Sequence, residues 1–134
     1  CDPFIPNDIT YKNGLRIYKS DAFNMAGTWD LVIYNHAFEH VPDPFENLKR
    51  VAEILPTGGV CILRIPTVPN YAWEHYGVNW AQLDAPRHLF LHSPISIRLL
   101  AEKAGMKLEK IIYDSTFFQF AGSEAIANGI PLIK

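Results

Sequence analysis

Two short apolar runs, WDLVIYN (29–35) and VCILRIP (60–66), enclose a helix-like segment, and that order restricts the fold more than any other feature of the chain. Each run is nearly continuous in apolar residues, the pattern of a strand buried on both faces of a parallel sheet. Between them, DPFENLKRVAEIL (43–55) offers Asp43 as a cap, Pro44 at the first helical position and Glu46 where a capping-box partner would stand. Phe45, Leu48, Ala52 and Leu55 recur at three- and four-residue spacing and give this helix one apolar stripe. PTGG (56–59) turns the chain into the second run. Strand, helix and strand predict a parallel βαβ unit and hence an α/β domain.

The flanking segments extend that pattern. GLRIYKSD (14–21) alternates apolar and polar residues and reads as a strand. SPISIRLLAEKAGM (93–106) reads as a helix, with Ser93 as cap, Pro94 in its first turn and Gly105 at its stop. KLEKIIYDS (107–115) and FFQFAG (117–122) are expected to be two closing strands joined by a hairpin. Residues 67–92 are long, aromatic and without clear period, a combination that points to a functional loop. No repeat, low-complexity tract or linker divides the chain, so residues 1–134 read as a single domain.

Composition excludes several classes of function. Hydrophobic residues at 49% and charged residues at 19% are a globular balance. A net charge of −2 without any basic run argues against nucleic acid as a partner. No stretch approaches the roughly 20 apolar residues of a membrane span. Cys1 and Cys61 lack motif spacing, which suits a reducing, cytoplasmic setting. The chain opens on CDPFIP, without Met and before any complete element, and reads as a piece of a longer protein.

Ligands of open α/β sheets bind past the carboxyl ends of the strands, so the residues following each strand are the functional candidates. These are Asp2, Asp21, the pair Asn35 and His36, and Pro66 with Thr67. Carboxylates at neighbouring strand ends suit a ligand with hydroxyls and an exocyclic amine, since both donate hydrogen bonds. His36-Ala-Phe-Glu39-His40 also spells H-x-x-E-H, a metalloprotease string when it lies on a helix. The strand before it, and Pro42 and Pro44 after it, leave no room for a long helix, and the candidate third ligands, His75, His88, His92 and Glu124, stand at no diagnostic spacing. The expectation is therefore a pocket lip with no metal. Further along, Tyr71, Trp73, Tyr76 and Trp80 could form a packed lid or a substrate wall. Asp84, Arg87 and His88 could orient a substrate or form a structural ion pair. Arg64, inside an apolar strand, is expected to reach a carboxylate or the sheet edge.

In this order the pieces resemble the class I S-adenosylmethionine-dependent methyltransferases over nearly the whole chain. DLVIYNHAFEHVPDPFENLKRVAEILPTGGVCILRIP is similar to the family's fourth strand, its "EHV-x-DP" turn, the next helix and the fifth strand. HLFLHSPISIRLLAEKAGMKLEKI resembles the ending, with its Ser-Pro helix start and "AGM" before the sixth strand. The resemblance implies that Asp2 holds the ribose hydroxyls, and that Asp21, with Ala22 behind it, meets the adenine amine. It implies that Asn35 and His36 line the methionine part, and that Glu39 and His40 shape the pocket toward the substrate. The family's Gly-rich turn after the first strand is missing, since Gly58-Gly59 belongs to a later turn, so this chain alone is expected to bind cofactor poorly.

The implied fold is a three-layer α/β sandwich of the Rossmann-like, doubly wound methyltransferase type, truncated at its N-terminal side. In it, residues 14–21 would pair out of place or across a homodimer, because an unpaired edge seeks a partner. The implied activity is methyl transfer from S-adenosyl-L-methionine to a small-molecule acceptor, by in-line displacement governed by proximity and orientation. For a hydroxyl or amine acceptor, His36, His40 and His88 are candidate general bases. Asp21 could equally be a strand-end turn residue, Asp2 a solvated terminus, and His40 a buttress of the Val41-Pro42 turn. Two other functions compete: a non-catalytic α/β binding module using the aromatic loop 71–92, and, more remotely, a zinc hydrolase.

Overall fold

The computed structural model describes residues 1–132 and is a mixed α/β chain. An antiparallel pair comes first, β1 (Ile9–Thr10) against β2 (Arg16–Ile17), with Ile9 opposite Ile17. The strand expected over 14–21 is thus two residues long, and it pairs out of place, with the chain just before it and not with the main sheet. β3 (Leu31–Asn35) and β4 (Val60–Arg64) form the expected parallel pair, in register from Leu31 opposite Val60 to Asn35 opposite Arg64.

The connection between them is α1 (Pro44–Ile54). The Asp43 carboxylate accepts the Glu46 N–H at 3.0 Å, satisfying one of the unpaired first-turn amides. The Glu46 side chain turns to Lys49 at 3.4 Å, so the capping box is half made. Leu48, Val51 and Ile54 are the buried residues of α1, whereas Phe45, Ala52 and Leu55 are only partly buried. The buried edge is rotated from the expected stripe because α1 packs on α3 (Pro94–Lys103) as well as on the sheet. At the start of α3, Ser93 and Ser96 exchange side-chain-to-amide bonds at 3.0 and 2.8 Å. At its end, Gly105 takes a φ of 77° and Met106 N–H reaches back to the Ala101 carbonyl at 2.8 Å, closing the last turn.

Tyr34, Phe38, Leu48, Val51 and Ile97 form the buried core, flanked by Val32, Cys61 and Leu63. Burial raises the Cys61 thiol to about 11. The Tyr34 phenol is raised too, by burial first and then by Cys61 and Asp21. Along β3 and β4 exposure alternates, and Leu31, Ile33, Val60 and Ile62 face outward. The expectation of strands buried on both faces is corrected: among the described residues, helices cover one face.

Three further expectations are corrected. The 67–92 segment contains α2 (Tyr71–Tyr76), capped by Asn70, whose side chain accepts the Trp73 N–H at 2.9 Å. Residues 117–122 are largely helical, within α4 (Phe118–Ala127), because the apolar run continues through Ala125 and Ile126 and a short apolar run does not by itself separate strand from helix. Residues 107–115 form no strand: their backbone joins no ladder with any of the described strands, although Asp114 meets Arg64 of β4 through its side chain. α4 packs on α2, with the Ser123 hydroxyl accepting the Ala81 N–H at 2.9 Å.

Single-face burial predicts unequal costs of truncation. Leu48→Ala, at a site 2% exposed, should cost about 2–5 kcal/mol in chemical denaturation. Ile33→Ala, at a site 56% exposed, should cost less than about 1 kcal/mol. Equal costs would mean that the outer face of β3 is covered.

Candidate functional site

The parallel ladder runs one residue past β3. His36 N–H donates to the Arg64 carbonyl at 2.8 Å, and His36 then takes a φ of 50°. A left-handed backbone is uncommon outside glycine and turns the chain sharply at the strand's carboxyl end. The next turn, the 3-10 helix Phe38–His40, drives Phe38 fully into the core, edge-on to Tyr34 at 5.4 Å. Glu39 goes in with it and is 0% exposed. Neither of its carboxylate oxygens has a hydrogen-bond partner. Two imidazole nitrogens stand near Oε1, His36 Nδ1 at 3.6 Å and His88 Nε2 at 3.8 Å.

His88 comes from far along the chain, held by backbone bonds. Leu89 and Phe90 N–H both donate to the Glu39 carbonyl, at 2.9 and 3.3 Å. His40 Nδ1 meets the Arg87 carbonyl at 2.8 Å, and His88 Nδ1 meets the Gln82 carbonyl at 2.8 Å. A carbonyl only accepts, so each of these Nδ1 atoms carries a proton, and in the neutral ring each Nε2 presents its lone pair. The two rings lie 4.8 Å apart. Asp84, at a φ of 42°, holds Arg87 through Nε at 3.0 Å and Nη2 at 2.5 Å, and stands 3.8 Å from His88 Nε2. Behind them His92 is buried, with its Nε2 unpartnered; burial lowers its pKa, and Glu39 acts in the opposite direction.

The fold therefore brings together His36, Glu39, His40, Arg87 and His88, with Asn35 on the neighbouring strand end. Asn35 accepts from Arg64 at 3.3 Å, and Arg64 pairs with Asp114 at 3.0 Å, the carboxylate that its place in a strand called for. Asp2 and Asp21 serve their own turns, accepting the Phe4 and Asn24 amides at 2.8 Å each. Ala22 packs on the core, and Arg50 ties the following chain to α1 through the Phe23 and Met25 carbonyls. Among the aromatic residues, Tyr71 stacks on His75 and Tyr76 bonds Glu124 at 2.9 Å, both on the side of α4. Trp73 sits edge-on to Trp80, which is 1% exposed: a core residue, where a substrate wall was expected. The H-x-x-E-H string lies on no α-helix, because His36 stands outside the 3-10 turn. Sequence reading missed the meeting of His88 with Glu39 and the burial of His92, because no local period marks a contact between distant loops.

A parallel βαβ unit with polar side chains gathered past its strand ends is the ligand-binding arrangement of open α/β domains. The chain belongs to the methyltransferase-domain family, whose sequence model matches residues 2–111, and so to the class I S-adenosylmethionine-dependent methyltransferases. The match takes in every candidate residue from Asp2 to His88 and stops before α4. Comparison with curated proteins and with solved structures gives no match. Among the described residues, no helix is long and apolar enough to cross a membrane.

A buried carboxylate without partners costs stability. Glu39→Met should therefore raise the stability of the ligand-free chain, in buffer without divalent cations, by about 1–3 kcal/mol in urea unfolding. A fall of similar size would mean that the carboxylate is satisfied within the fold.

Proposed function

We propose that the protein transfers a methyl group from S-adenosyl-L-methionine to a hydroxyl or amine of a small molecule, in the pocket past β3 and β4. The observation that carries this reading is the pair His40 and His88, each with Nδ1 fixed on a carbonyl, clustered with buried Glu39, which His88 Nε2 approaches to 3.8 Å. When bound, the cofactor supplies a methyl group activated by its sulfonium sulfur. The chain's part is to hold the acceptor in line and to take its proton, at Nε2 of His88 or His40, with His36 as the third candidate. Asn35 and His36 would line the methionine part of the cofactor. Asp2 would accept from the ribose hydroxyls and Asp21 from the adenine amine, over Ala22; each carboxylate has lone pairs beyond the one its turn uses.

To the acceptor side this reading assigns Glu39, the remaining N–H groups of Arg87, and Tyr71, Trp73, Tyr76 and Trp80 of the aromatic segment. In this reading residues 1–134 belong to a single doubly wound, three-layer domain, and the open apolar face of β3 and β4 is where such a sandwich carries its second helical layer. Two free thiols fit a reducing cytoplasm, and an unpaired sheet edge leaves room for a homodimer.

The test is to mix the full-length protein with methyl-labelled cofactor and a panel of hydroxyl and amine metabolites. Saturable cofactor binding and label transfer are expected, with His88→Ala slowing transfer by roughly 10²–10⁴-fold. Absence of both binding and transfer overturns the proposal.

A further inference from the structure

We infer that Glu39, His40 and His88 form a binding site for one divalent transition-metal cation. Their ligand atoms lie within 4.8 Å of one another, and they join two imidazole nitrogens to one carboxylate, a donor set suited to zinc, cobalt or iron(II). Three independent features of the fold point to an ion.

The first is the Glu39 carboxylate. It is fully buried, and both its oxygens lack hydrogen-bond partners. The imidazole nitrogens that face it, at 3.6 and 3.8 Å, are too distant for a hydrogen bond. A gap of that width is what two ligands of one ion leave between them: bonds of about 2.0–2.2 Å set ligand atoms roughly 3–4 Å apart. The widest separation, 4.8 Å, has to close by roughly 1 Å, and His40, exposed at its edge of the cluster, can swing inward.

The second is the state of the two imidazoles. Metal-bound histidine ordinarily donates its second ring N–H to a carbonyl or carboxylate, which fixes the tautomer and aims the other nitrogen at the ion. His40 and His88 both make that bond, to the Arg87 and Gln82 carbonyls at 2.8 Å. The third is the backbone. The Leu89 and Phe90 amides converge on the Glu39 carbonyl, so the loop bearing His88 is pinned to the very residue that carries the carboxylate.

Three protein ligands leave a coordination position for water or an acceptor oxygen. His36, 3.6 Å from the carboxylate, lies beside the three ligands, while Asp84 is engaged by Arg87. This departs from the sequence expectation of no metal. That expectation rested on an α-helical H-x-x-E-H motif in which Glu39 would be a base; here Glu39 is a ligand and the second histidine comes from another loop. A coordinated Nε2 has no lone pair left to take a proton, so with the cation bound the base of the methyl-transfer reading is His36 and not His40 or His88. Cation binding itself does not depend on that reading, and it is measured without cofactor.

The test strips the chain with chelator, dialyses it, and titrates it with Zn²⁺ by calorimetry and with Co²⁺ by visible absorption. One cation per chain is expected, with cobalt bands of a nitrogen-and-oxygen site. His40→Ala and Glu39→Gln should each weaken binding by at least about tenfold while leaving the circular dichroism unchanged. His75→Ala, outside the cluster, should bind as the parent does. Absence of saturable binding by the parent chain overturns the inference. So does equal affinity in parent, His40→Ala and Glu39→Gln, or equal loss in His75→Ala. Should Glu39→Gln fail to fold, exposed His40 decides the matter alone.

Discussion

The parallel pairing of β3 with β4 is the interaction on which the rest of the fold depends. Parallel neighbours cannot be joined by a tight turn, so the chain between them must leave the sheet and return, and α1 is that return. The register, Leu31 opposite Val60 through Asn35 opposite Arg64, puts Val32, Tyr34, Cys61 and Leu63 on one face together. α1 and α3 cover that face, and the hydrophobic gain of doing so holds the unit together. The same ladder carries on to His36, which fixes where the chain turns and therefore where the polar cluster forms.

From that turn onward, stability and function diverge. Phe38 and Glu39 are adjacent and equally buried, yet Phe38 strengthens the core while Glu39 lies there without a hydrogen bond to either oxygen. The loop bearing His88 closes over them through two amides on one carbonyl. The result is a buried carboxylate faced by imidazoles of fixed tautomer, beside strained backbone at His36 and Asp84. Such features gather where a ligand is to be held, and a fold optimised for stability alone would not keep them.

Much of this was legible in the sequence because it was local. Asp43-Pro44 and Ser93-Pro94 marked two helix starts by their hydrogen-bonding chemistry, and both caps are made. The two apolar runs marked the parallel strands. Where the outcome depended on a distant partner, the sequence was silent or misleading. KLEKIIYDS alternates like a strand, but a strand exists only in a ladder. FFQFAG is too short a run to declare its period, and the helix becomes visible only when Ser123 and Ile126 are counted with it. The aromatic loop hid α2 because its cap, Asn70, stood among prolines and other turn formers. At the site, His36, Glu39, His40 and His88 were all candidates, but that His88 meets Glu39 follows from backbone bonds that no pattern announces.

The measurement that bears most directly on a strand-end site is amide chemical-shift mapping of the full-length protein during titration with S-adenosyl-L-methionine. The shifts should concentrate on residues 35–40, the strand end, and on Asp2, Asp21 and Ala22, the residues assigned to the ribose and adenine. Shifts confined to 71–76 and 118–127, the aromatic face shared by α2 and α4, or no shifts at all, would contradict it.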